Sequence, residues 1–248
     1  MVLHIIMVLR AGASVGVQLG KSVHLLTTRA LLIHKAEESG LGKTEVGWGR
    51  FELNPENLIT CPDDEPTIIY QGPLNIGTHL RAPIPLPKGI TGDVTLTATV
   101  LISPQVDASF LGSYTESGFT VVFRPNDKRF TKYPNGDLSK HPTSASFFSE
   151  GAVYGESEFE LREGGLKWEP CVKRSRKFRS TTLSNPCFDI FYNRREEGAA
   201  TARMPQMQYA LIVTILAPKV PDLYDKVVRM YANILVPIQP QLRIRLTT

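Results

Sequence analysis

The spacing of apolar residues changes from a helical period of about 3.6 to a strand period of two near residue 60, and this limits the fold more than any motif does. DVTLTATVLIS (93–103) puts Val94, Leu96, Ala98, Val100 and Ile102 on one face, with Thr95, Thr97 and Thr99 on the other. FTVVF (119–123), FDIFY (188–192), YALIVTILA (209–217) and LRIRL (242–246) follow the same rule. PTIIYQG (66–72), SEFELRE (157–163) and KWEPCV (167–172) are further expected strands. Pro and Gly clusters separate them: RAPIPLPKG (81–89), RPND (124–127), YPNGD (133–137), EGG (163–165) and APKVPD (217–222). About eight short strands joined by long polar loops predict an antiparallel sandwich. DLYDKVVRMYANIL (222–235) reads as one amphipathic helix inserted before the last strand.

Ahead of residue 60 the pattern is helical. Leu25, Leu26, Arg29, Ala30, Leu32, Ile33 and Ala36 recur at three and four residues, and the aliphatic stem of Arg29 can lie along that stripe. Ser22 suits the N-cap and Gly40 the stop. Residues 4 to 19 carry small side chains, among them Ala11, Gly12, Ala13, Ser14 and Gly16, which predict a helix that packs closely on neighbours. Asn54-Pro55-Glu56 opens a third short helix, with Asn as cap and Pro in the first turn. The fold class expected is α+β: a short helical N-terminal segment, 1–59, and a mainly antiparallel, jelly-roll-like β-sandwich, 60–248.

Composition narrows the function. The 42% hydrophobic and 21% charged residues are those of a folded chain, and a net charge of +4 does not argue for nucleic acid. Cys61, Cys171 and Cys187 are odd in number and lack C-x-x-C spacing, so neither a disulfide framework nor a zinc knuckle is expected, and a reducing cytoplasm fits. The opening MVLHIIMVL has no basic residue before it and is cut by Arg10, unlike a signal peptide. No run approaches the roughly 20 apolar residues of a membrane span.

The sharpest local motif is GVQLGKS (16–22), which invites a phosphate-binding reading. That loop needs four residues between its glycines; here there are three, and Val15 stands where the first glycine belongs. A loop between two helices is the expectation instead. KRSRKFR (173–179) could meet phosphates, but such a run more often guards an exposed edge strand or hairpin. Asp63-Asp64-Glu65 lacks the alternation of a calcium loop and reads as a turn into the strand at Pro66. His4, His24, His34, His79 and His141 are scattered, and none is assigned to a metal. Ser14 and Ser22 have no recognisable His or Asp partner, Arg194 to Gly198 reads as a charged hairpin end, and Tyr70, Tyr192 and Tyr209 read as core. No catalytic residue and no cofactor are assigned.

The helical segment resembles the end of the catalytic domain of subtilisin-like serine proteases. The resemblance rests on the small-residue segment, the run Arg29-Ala30-Leu31-Leu32-Ile33-His34-Lys35-Ala36, and the glycine turn Val46-Gly47-Trp48-Gly49-Arg50-Phe51. It extends into the C-terminal half of a bacterial subset of these proteases, some linked to anti-phage defence. The stretches concerned are GWGRFELNPENLITCPDDE (47–65), YQGPLNIGTHLRAPIPLP (70–87), FDIFYNRREEG (188–198) and YALIVTILAPKVPDLYDKV (209–227).

The resemblance implies a nucleophile motif, G-T-S-x-A-x-P, with Val8-Leu9-Arg10 continuing its helix. The serine would then belong near position 2, which is Val2, and that motif occurs nowhere in the chain. The family's catalytic Asp and His would lie upstream of Met1. A serine hydroxyl without base and oxyanion donors is a poor nucleophile, so no proteolysis is expected of this chain. MVLHIIM (1–7) departs from the family, the pattern that a frameshift or late start codon would leave. For partners, the resemblance implies a protein docked on the sandwich loops or the small-residue helix face, or an ATPase in a defence system. A stand-alone binding module using loops 104–118 and 125–146 is the alternative.

Overall fold

The computed structural model describes residues 6–9, 17–18, 25–41, 43–53, 57–58, 60–106, 115–148, 169–194, 206–233, 235–238 and 241–242. The strands are β1 (Ile6–Leu9), β2 (Val17–Gln18), β3 (Thr67–Asn75), β4 (His79–Pro83), β5 (Asp93–Ser103), β6 (Ser117–Arg124) and β7 (Phe130–Lys132). They continue with β8 (Leu138–Pro142), β9 (Cys171–Arg179), β10 (Cys187–Arg194), β11 (Gln206–Leu216), β12 (Leu235–Ile238) and β13 (Gln241–Leu242). The helices are α1 (Leu25–Lys35), α2 (Lys43–Val46) and α3 (Leu223–Met230).

A six-stranded sheet, in the order β12-β1-β3-β11-β5-β9, faces a three-stranded sheet, β4-β10-β6, across one core. All these pairings are antiparallel except β1 with β12. Two ribbons, β13-β2 and β7-β8, are separate. The architecture is that of an antiparallel sandwich. Its core is aromatic: Phe123 lies 5.2 Å from Phe147, 5.1 Å from Phe178 and 5.3 Å from Phe188, between ring centroids. Phe119 of β6 meets Tyr209 of β11 at 5.6 Å, and the Tyr70 hydroxyl donates to the Pro83 carbonyl of β4, so both tyrosines tie one sheet to the other. Tyr70, Tyr192 and Tyr209 are all buried, as core residues should be.

Registers sort the long strands into two faces. On β5 and β11, Leu96 lies level with Ile215, Ala98 with Val213, Val100 with Leu211 and Ile102 with Tyr209, while Val94 lies level with Phe178 of β9; this face meets the small sheet. The opposite face carries Thr97, Thr99, Ala210, Ile212 and Thr214, with Thr67, Ile69 and Gln71 of β3 level with the last three in the reverse order. The sequence pattern marks this face by its threonines. α1 lies on it, and Thr99, Thr214, Thr67 and Gln71 are buried.

The N-terminal segment differs from expectation in three ways. Ile6–Leu9 is a strand held between β3 and β12, and Val17–Gln18 a strand on β13, so the helix expected over 4–19 is not formed there. The same finding removes the helix expected through Val8 and Leu9. β-branched and long apolar side chains gain more from ladder pairing than from a helix interrupted by glycine. Second, residues 19–24 lie outside the described residues, and the described elements on either side of them are a strand, β2, and α1, not two helices. Ser14, Ser22 and the small residues 10–16 lie outside the described residues.

Third, α1 buries Thr27, Ala30, Leu31, Ile33 and His34, while Leu25 is 87% exposed. The helix is rotated from the expected stripe because the surface beneath it offers hydroxyls and an amide. It also stops at Lys35, well before Gly40, where Lys173 of β9 donates to the carbonyls of Ile33 (3.0 Å) and Ala36 (2.7 Å). Asn57 and Leu58 are helical, and the rest of the helix expected from Asn54 lies outside the described residues, as do the strand at 157–163 and residues 243–246.

Elsewhere the expected strands at 93–103, 119–123 and 188–192 fall within β5, β6 and β10, and those at 66–72 and 209–217 overlap β3 and β11 save for one terminal residue each. β4, β7, β8 and β12 were not legible, because Pro-rich or charged short strands carry little periodicity. The helix at 222–235 ends at Met230, and Leu235 already belongs to β12.

Candidate functional site

Two polar clusters stand out, one on each sheet. The first lies between α1 and the large sheet. His34 Nδ1 is 2.8 Å from the Thr99 hydroxyl and Nε2 is 2.7 Å from that of Thr214, which in turn lies 2.7 Å from Thr67 Oγ1. A neutral imidazole suits this chain, since one nitrogen donates and the other accepts. Burial holds the His34 pKa well below the ordinary histidine value, and the charges of Lys35 and Lys173 push it the same way. Thr27 donates to the Gln71 side-chain oxygen a few residues along. This cluster is wholly buried between α1 and the large sheet. It seats the helix.

The glycine turn completes that seat. After α1, Glu37 forms an antiparallel bridge with Arg50, with backbone hydrogen bonds of 2.9 Å in both directions. Gly49 has φ +98°, and a Cβ there would overlap the Glu37 carbonyl oxygen. Gly47 has φ +61° but open space around it. We therefore expect Gly49→Ala to lower the unfolding free energy by about 1–3 kcal/mol. Gly47→Asn, in a conformation that Asn tolerates, should change it far less. Urea midpoints of the two variants check this, and equal shifts would refute the packing argument.

The second cluster sits on the outer face of the small sheet. Asp189, on the central strand β10, lies level with Arg81 of β4. Arg81 donates from Nε to Oδ1 (2.7 Å) and from Nη2 to Oδ2 (3.0 Å), a two-point contact. Arg124 of β6 donates from Nε to Oδ2 at 2.6 Å, and its Nη1 donates to the Pro142 carbonyl at the end of β8. Burial pushes the Asp189 carboxyl pKa up, but the hydrogen bonds and charges of the two arginines outweigh it and hold the carboxyl below its usual range. A pocket of about 170 Å³ opens beside this cluster.

The sequence motifs fall apart in space or take structural roles. KRSRKFR forms most of β9, the outermost strand of the large sheet among the described residues, as the edge-guard reading expects. Within it, Lys173 caps α1, Arg176 donates to the Phe147 carbonyl at 2.6 Å, and Lys177 pairs with Asp93 at 2.9 Å. Asp63 and Asp64 form the turn before β3, and their carbonyls accept from the backbone of Tyr224 and Ala217. Loop 125–146 contains the β7–β8 ribbon; within 104–118, residues 107–114 lie outside the described residues. Arg194 ends β10. Among the described residues no three His, Cys, Asp or Glu side chains group closely enough to hold a metal.

Cys61, Cys171 and Cys187 are buried and form no disulfide. Burial pushes the thiols of Cys61 and Cys187 up to about 11. Iodoacetamide at pH 8 should therefore label the folded chain at these positions at least tenfold more slowly than the urea-unfolded chain, as peptide mass spectrometry would read.

The arrangement defines a class: an antiparallel β-sandwich with a helix seated on its larger sheet. No helix among the described residues is long and apolar enough to cross a membrane. No family model matches the chain, and no curated protein matches it. Among solved structures it is similar to the infectious bursal disease virus VP2 subviral particle, at 11% identity over 72% of this chain and 39% of that one, with a TM-score of 0.32. A structure of the same virus, Gt strain, follows at 9% identity over 67% and 36%, with a TM-score of 0.28. Its T13 viral particle gives 10% identity over 70% and 37%, with a TM-score of 0.31. The chain thus spans about 39% of the length of the first of these structures. Likeness this distant says nothing of function.

Proposed function

We propose that this chain is the C-terminal region of a subtilisin-like serine protease, carrying no proteolytic chemistry of its own. Residues 1–59 correspond on this reading to the end of the catalytic domain, and residues 60–248 to an appended jelly-roll-like sandwich. The observation that supports it is the unit formed by α1 and the Gly47-Trp48-Gly49 turn. The helix carries the Ala30-Leu31-Leu32 run, and the turn folds back on its end through the Glu37–Arg50 bridge, with Gly49 at a contact no side chain fits. That is the physical reason for a glycine at the position on which the resemblance rests. In such a protease the sandwich supports the catalytic domain or docks a protein partner, an ATPase of a defence system among them.

A second reading has its own support. α1 finds its seat within this chain, through His34, Thr99 and Thr214, so the sandwich and helix can serve as a stand-alone binding module. Sequencing the DNA upstream of codon 1 in all three frames separates the two. G-T-S-x-A-x-P, with Asp and His motifs beyond it, would support the protease reading. A ribosome-binding site preceded by an unrelated gene would overturn it in favour of the module. Under both readings a fluorophosphonate probe should leave the purified chain unlabelled, and stoichiometric labelling of any serine would contradict both.

A further inference from the structure

The pocket beside Asp189 is used by neither the fold nor the proposed function. It is lined by His79, Leu80, Arg81, His141, Asp189 and Phe191. Its charges do not cancel: one carboxylate meets two guanidinium groups. Arg124 is buried, hydrogen-bonded to both Asp189 and Pro142, and sufficient to neutralise that carboxylate. Arg81 is therefore surplus to the needs of the sheet. Its side chain is 48% exposed, and it spends Nε and Nη2 on Asp189, leaving Nη1 with no acceptor among the described residues.

Arg81 is also held still. The two-point contact with Asp189 fixes the plane of its guanidinium, so a ligand would not have to order a mobile side chain. His79 stands edge-on to Phe191, ring centroids 4.3 Å apart at 83°, which fixes that imidazole too. His141, from β8, supplies a second imidazole to the lining. A fixed cation, two imidazoles and one aromatic wall are the donors and shape that a small anion needs.

We infer that this pocket binds an oxyanion, a phosphate or carboxylate group, held by the Nη1 end of Arg81 with His79 and His141 as further donors. A volume of about 170 Å³ holds such a group on a short stem and not a whole nucleotide. The site does not depend on the protease reading.

The test is an NMR titration of the full chain, isotopically labelled, with inorganic phosphate and separately with acetate, at ionic strength kept constant with chloride. Saturable shifts of the His79 and His141 imidazole and Arg81 guanidinium resonances, with a Kd of about 1 mM or tighter, are expected for at least one anion. Saturation by phosphate alone or by acetate alone assigns the group. Arg81→Gln should weaken binding at least tenfold, with Arg124 still neutralising Asp189. If that variant fails to fold, the paired change His79→Ala and His141→Ala, at exposed positions, tests the same claim. Shifts that stay linear in concentration for both anions, or a saturable response unchanged in these variants, would overturn the proposal.

Discussion

Asp189→Ala should lower the unfolding free energy by about 3–5 kcal/mol, the cost of leaving a buried arginine without its counter-charge. Arg124 is 7% exposed and its Nε lies 2.6 Å from Asp189. With the carboxylate gone, its remaining acceptor among the described residues is the Pro142 carbonyl, which carries no net charge. Arg81 reaches solvent, so Arg81→Gln should cost no more than about 1 kcal/mol. The asymmetry is the point: two arginines touch one carboxylate, and only one depends on it for burial. Replacing both buried partners, Asp189→Leu with Arg124→Met, should recover much of the loss, since apolar residues of similar volume need no pairing. Urea midpoints for the single and paired changes measure this as a double-mutant cycle. A loss below about 1 kcal/mol for Asp189→Ala would mean that water reaches Arg124.

Acid should loosen the seat of α1. The folded-state pKa of His34 is depressed below the unfolded value of 6.5. Stability from the neutral imidazole is therefore fully present above that value, and is lost as pH falls from there toward the folded value. The unfolded chain binds the proton first, so the slope in this window reaches at most about 1.4 kcal/mol per pH unit. Protonation would also turn Nδ1 and Nε2 both into donors and force Thr99 and Thr214 both to accept. His34→Leu should flatten the decline between pH 6.5 and pH 5 while costing about 2–3 kcal/mol at pH 7.5, because the Thr99 and Thr214 hydroxyls lose a partner. Urea unfolding across that range checks both effects. An equal decline in the two proteins would place the sensitive group elsewhere.

The two clusters were not legible in the same degree. KRSRKFR announced an edge strand because a run of charge at the side of a sheet opposes pairing with another chain, and β9 is that edge. Arg81 sat inside a stretch read as Pro-rich punctuation, and Asp189 inside an otherwise apolar strand; a lone Asp at the second position of FDIFY was the one available signal. Their meeting spans 108 residues of sequence, and that of Asp189 with Arg124 spans 65. No local pattern carries such a distance. His34 hid for a different reason: it lay beside the expected apolar stripe, on a helix whose true buried face includes two polar side chains.

By itself the sequence determined the long strands β3, β5, β6, β10 and β11 and the alternation of their faces, because a side-chain period of two is a property of the local backbone. It also placed the charge on the edge strand, whereas the need for glycine at Gly49 comes from its contact with the Glu37 carbonyl in the fold. Only the tertiary structure decided what covers each face. Thr99 falls on the face opposite the apolar one, and it, Thr67 and Thr214 are buried beneath His34. A hydroxyl is as well satisfied by an imidazole as by water, and periodicity records which residues share a face but not what lies on it.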